Sequence, residues 1–167
     1  VISESELELR SLAAPSDDTP WDVVADLSRT GLRGEEAITV GSFTVPSPFV
    51  DVEQHSAALR RRFDEVFEPG IGVVDAARRL CTTIFRDFEF DPHFSEGSTP
   101  LAEVLDAGRG VCQDFAHLAV AALRDRGLPA RYVSGYIETL PPPGEPKLVG
   151  ADASHAWCSV WTPTDGW

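Results

Sequence analysis

Beyond residue 46, apolar side chains recur at helical spacing in four segments and then alternate in two. Residues 52–67 carry Ala58, Leu59, Phe63, Val66 and Phe67 at that spacing, and Pro69-Gly70 stops the run. Residues 73–88 show a stronger stripe of Val73, Ala77, Leu80, Ile84 and Phe88, flanked by Val74, Cys81 and Phe85. A loop follows, and Ser98-Thr99-Pro100 opens a short helix over 101–105. After Gly108-Arg109-Gly110, residues 112–126 read as a central helix that buries Phe115, Leu118, Ala119, Ala122 and Leu123. Gly127 and Pro129 end it. Residues 130–138 and 155–161 read as strands, joined through a proline-rich loop, PPPGEPKLVG. Helices first and antiparallel strands afterwards make an α+β core.

The N-terminal part is thinner. Residues 3–10 alternate as a half-exposed strand would, 11–20 are a loop by their Pro, Ser and Asp content, 22–28 suit a short helix, and 37–45 suit a strand. The stretch lacks the apolar side chains for a core of its own. It reads as the end of a β-rich region covering 1–45, with Pro46-Ser47-Pro48 as the boundary to a unit covering 46–167.

Composition narrows the function classes. Apolar residues make up 43% and charged residues 25%, as in globular domains. A net charge of −13 argues against a nucleic-acid partner, which would need a concentrated basic surface. Arg60-Arg61-Arg62 is the one basic cluster and reads as a solvated helix face. No apolar run reaches the roughly 18 residues of a membrane helix. Three cysteines without close pairing do not read as a disulfide framework, and a reducing cytoplasm is the simplest home. Neither C-x-x-C nor H-E-x-x-H occurs, so no metal or cofactor is expected. The missing methionine and the start at Val1 suggest a piece of a longer protein.

Three cysteines and four histidines are the candidates for chemistry. Cys81 lies on an apolar stripe and reads as core. Cys158 shares a strand face with Ala156 and Val160, away from the face that carries His155. Cys112 opens a helix after a glycine-flanked turn, where unpaired N–H groups and the helix dipole favour a thiolate and could hold an oxyanion. The same position also suits a small residue that begins a buried helix. His117 is about 140° around the helix axis from Cys112 and cannot meet its thiol. His55 and His93 read as surface or hinge residues. His155 heads a strand, as a packed side chain or as a base.

The residues STPLAEVLDAGRGVCQDFAHLAVAALRDRGLPARYVSGY (98–136) and LVGADASHAWCSVW (148–161), with helix-opening G-V-C and strand-opening H-A-W, closely resemble bacterial members of the transglutaminase-like superfamily. The resemblance covers roughly 46–167. It implies a papain-like fold, helices on an antiparallel sheet, truncated here at its C-terminal end. It also implies Cys112 as nucleophile and His155 as general base and later acid. The third triad member, an aspartate a few residues beyond a G-W pair, would lie past Gly166-Trp167. Asp165 is too far from His155 to replace it, and Asp152 reads as loop structure. The activity implied is acyl transfer or hydrolysis on amide or peptide carbonyls of protein or peptide substrates, through a thioester. Calcium dependence is not carried over. A non-catalytic binding module on the same fold is the alternative. An arylamine acyltransferase is a weaker third reading, because no acyl-CoA site is visible. Oligomeric state and substrate identity are not legible.

Overall fold

The computed structural model describes residues 13–95, 99–137 and 154–167. The expected strand at 3–10 therefore lies outside the described residues. Among the described residues, six α-helices run in order: α1 (Trp21–Asp26), α2 (Gly34–Thr39), α3 (Val52–Phe63), α4 (Val73–Asp87), α5 (Leu101–Ala107) and α6 (Cys112–Asp125). Among the described residues, two short sheets accompany them. A parallel pair joins β1 (Glu89–Phe90) to β2 (Arg109–Gly110), and an antiparallel pair joins β3 (Ala130–Tyr136) to β4 (Ser154–Val160).

The fold is centred on α6. Ala116, Leu118, Ala119, Val120, Ala121, Ala122 and Leu123 are all buried, so the helix is apolar nearly all round and must be enclosed. Its four buried alanines let neighbours approach closely. Leu59 and Phe63 of α3 and Leu80 and Ile84 of α4 belong to the same core. Helix α6 ends in a Schellman motif. Gly127, at φ 77°, donates to the Arg124 carbonyl at 2.9 Å, and Leu128 donates to Leu123 at 3.1 Å. That turn sends the chain back along α6 as β3. The Arg124 guanidinium fixes the turn by donating to the Ala130 carbonyl at 2.9 Å.

One expectation is corrected here. Residues 37–45, expected as a strand, form the end of α2 and a 3₁₀ turn at Gly41–Phe43. Of these residues Val40 alone is buried in the core, while Ile38 is 72% and Val45 53% exposed, so no alternating buried face is there to hold a strand. Arg60, Arg61 and Arg62 lie on an exposed helix face, as expected, and two of them also make contacts from it. Arg60 donates to the Asp125 carboxylate at 3.0 Å, a group that also accepts from Ser56, and this clamps α3 to the end of α6. Arg62 donates to the Asp87 carbonyl and lies over the Phe88 ring.

Asp17 ties the N-terminal segment to the turn after β4. Its carboxylate accepts from the Thr19 N–H at 2.9 Å and the Thr164 N–H at 2.8 Å. Burial raises its proton affinity, but the bonds from Thr19 and Thr164 outweigh that and hold it well below the ordinary carboxylate range. A carboxylate depressed in the folded state stabilises fully above its unfolded value, about 3.9, and loses that contribution as pH falls further. Wild type should therefore lose stability below about pH 4 more steeply than Asp17→Asn, as urea unfolding across pH 2–6 would show.

Candidate active site

The first turn of α6 is built by the elements before it. Gly108, at φ 65°, caps α5, and the chain then pairs with β1: Glu89 N–H donates to Gly108 at 2.9 Å and Asp91 N–H to Gly110 at 3.0 Å. Val111 is extended and serves as N-cap, so Cys112 is the first helical residue. The opening N–H groups of a helix have no acceptor within it, and the dipole favours an anion there. Cys112 is half-buried.

A residue the sequence reading passed over completes this turn. Asp114 is 3% exposed. Its Oδ2 accepts from the Val111 N–H at 2.8 Å, and its Oδ1 accepts from the Ser95 hydroxyl at 3.2 Å. Thr99 donates in turn to Ser95 at 3.0 Å. The signal was present: an acidic residue at the third helical position reaching back to the N-cap is half of a capping box. Valine at the N-cap has no acceptor with which to return the bond, which hid it.

His155 lies in β4 directly opposite Gly135 of β3. The Tyr132 and His117 rings are 4.9 Å apart, so Tyr132 stands level with His117 on α6. From His117 to Cys112 the helix rises about 7.5 Å. Moving about two strand residues in the same direction, at ~3.3 Å each, leads from Tyr132 to Ser134–Gly135. The stretch of β3 paired with His155 therefore lies toward the N-terminal end of α6, although it is the face of Tyr132 that meets His117. Side chains alternate, so His155 shares a face with Trp157 and Ser159, whereas Tyr132 and Cys158 share the other. A Cβ on Gly135 would stand 2.7 Å from the Trp157 ring, so the indole lies across the bare strand beside His155.

The remaining candidates are occupied elsewhere. His117 stacks on Phe49 at 5.3 Å and packs on Tyr132, and burial lowers its basicity, partly opposed by Asp114. Asp165 accepts from the Ser16 and Asp17 N–H groups. Asp152 lies outside the described residues. Among the described residues, no group of three or more His, Cys, Asp or Glu could hold a metal ion, and no helix is long and apolar enough to cross a membrane.

Cys81 corrects an expectation: it is exposed, not core. The buried face of α4 runs through Val73, Val74, Ala76, Leu80 and Ile84, and Cys81 lies at its margin. It borders a groove of about 990 Å³ together with Cys158, Leu123 and Val160; neither Cys112 nor His155 lines this groove. The contact with the Cys158 thiol lowers Cys81 to about 7 despite partial burial, while the same contact and burial push Cys158 upward. Cys81 should thus alkylate readily at pH 7. Replacing Cys158 with alanine should slow it about tenfold, read by mass-spectrometric site assignment.

Comparison with known proteins agrees with this architecture. The family model for the transglutaminase-like superfamily matches residues 62–167. The uncharacterized protein Rv2569c of Mycobacterium tuberculosis is 42% identical over 144 residues, 86% of this chain and 43% of that protein. An uncharacterized protein of Mycobacterium leprae, ML0607, is 36% identical over 170 residues, 100% of this chain and 55% of its own. The chain thus spans about half the length of these relatives. A protein-glutamine gamma-glutamyltransferase of Pseudomonas aeruginosa is 38% identical over 65 residues, 38% of this chain and 10% of that protein. Among solved structures, a proposed cysteine protease from Cytophaga hutchinsonii superposes with a TM-score of 0.61 at 22% identity, covering 78% of this chain and 39% of that one. The fold is that of papain-like cysteine proteases and transglutaminases, and with a family model matched over residues 62–167 the chain belongs to the transglutaminase-like superfamily.

Proposed function

We propose that this chain carries the nucleophile and base of a cysteine-dependent acyl-transfer site acting on amide or peptide carbonyls of protein or peptide substrates. Cys112 is the nucleophile and His155 the general base. The observation that carries the reading is the placement of Cys112 as the first residue of a largely buried helix, where unpaired N–H groups and the helix dipole favour a thiolate. The sulfur attacks the carbonyl carbon while His155 takes the thiol proton, and first-turn N–H groups of α6 stabilise the oxyanion. Collapse of the intermediate breaks the carbon–nitrogen bond, and His155 returns the proton to the departing amine. Water or a second amine, deprotonated by His155, then attacks the thioester and regenerates the thiol. The outcome is hydrolysis with water and transamidation with an amine. The glutamine chemistry named for the Pseudomonas relative makes a glutamine carboxamide one candidate acyl donor.

The test is the rate-versus-pH profile of iodoacetamide alkylation at Cys112. It is best run in a Cys81→Ser background, because Cys81 would otherwise compete for the reagent. Selective labelling of Cys112 below pH 7 that depends on His155 supports the proposal. Ordinary, His155-independent labelling sinks it and favours a binding module on the same fold.

A further inference from the structure

We propose that Asp114 is a positioning residue for the Cys112 nucleophile, holding the 110–112 backbone in place by accepting from the Val111 N–H and fitting against the bare Cα of Gly110. The inference rests on the reading of Cys112 as nucleophile. Asp114 is 3% exposed and buried charges must be matched, so a carboxylate here has a specific task. Its Oδ2 lies 2.8 Å from the Val111 nitrogen, the peptide immediately before Cys112. Its Oδ1 is held by Ser95, which in turn accepts from Thr99, so the loop before α5 braces the carboxylate from the other side. A Cβ on Gly110 would stand 2.9 Å from both the Cβ and Oδ2 of Asp114. Glycine at 110 is therefore there for close approach, since its φ is not positive and the backbone itself would accept alanine.

Charge alone argues against any other role. A second negative charge two residues from Cys112 disfavours a thiolate. Asp114 can help the nucleophile only through geometry, by fixing where the thiol and the first N–H groups of α6 point. The prediction is accordingly unusual in sign: the neutral isostere should preserve function. An asparagine can still accept from Val111 with its amide oxygen.

The experiment compares wild type with Asp114→Ala, Asp114→Asn and Gly110→Ala, each in the Cys81→Ser background. Readouts are the pH profile of Cys112 alkylation by iodoacetamide and the thermal midpoint. Expected are a loss of tenfold or more at pH 6 in Asp114→Ala and Gly110→Ala, and a rate within threefold of wild type in Asp114→Asn. Gly110→Ala displaces the carboxylate without removing it, so it decides the matter if Asp114→Ala fails to fold. Wild-type profiles in Gly110→Ala or folded Asp114→Ala would overturn the inference. So would an Asp114→Asn variant as slow as alanine, because its acceptor is intact. If wild-type Cys112 itself labels like an ordinary thiol, the nucleophile reading fails instead, and the positioning role fails with it.

Discussion

His155→Ala is expected to slow alkylation of Cys112 at pH 6 by about 20-fold, and to reduce any acyl-transfer turnover by on the order of 10⁴–10⁶. The two numbers differ because they read different steps. Alkylation needs the sulfur only as a nucleophile, so it reads the help a nearby imidazole gives in ionising a thiol, less the nucleophilicity that a more stable thiolate gives up, with a Brønsted slope of about 0.4–0.5. Turnover suffers further, because the same imidazole must protonate the leaving amine and then activate water or amine, and alanine does neither. Should Cys112 label equally fast in both proteins, the pairing proposed between them would be wrong.

Phe63→Ala should destabilise the fold by about 3–5 kcal/mol, a large part of the roughly 5–15 kcal/mol available to a domain of this size. Phe63 is 1% exposed, its ring lies 6.4 Å from that of Phe88, and it sits in the core cluster with Leu59, Leu80 and Leu118. Truncation would leave a ring-sized cavity that these side chains can fill only partly. Phe85 provides the contrast, being 89% exposed on α4. Phe85→Ala should change stability by no more than about 0.5 kcal/mol. Urea unfolding midpoints at constant slope would measure both, and equal losses would contradict the burial assigned to these residues.

These two phenylalanines also mark where sequence reading reached its limit. Both occupy helical stripes by spacing alone, and so does Cys81. A periodic pattern gives the direction of a helix face to within about one residue step, roughly 100°. It does not say where the buried arc ends. The neighbours decide that, and the face of α4 that is buried excludes Phe85 and Cys81. Residues 37–45 failed for another reason: Val40 is buried but Ile38 and Val45 are exposed, so the alternation that suggested a strand has no covered face behind it.

The order and type of the main elements are legible along the chain, because long apolar runs, glycine and proline stops and helix starts are local features. Helices α3, α4, α5 and α6 and strands β3 and β4 all lie within a few residues of where the pattern placed them. It also singled out Cys112 at a helix start. Relations between distant residues come only from the folded backbone: the Gly135–His155 register of β3 and β4, the Cys81–Cys158 contact, and the buried Asp114 seated against Gly110. Each depends on how two backbones approach in space, and a chain read one residue after another does not encode that approach in any local signal.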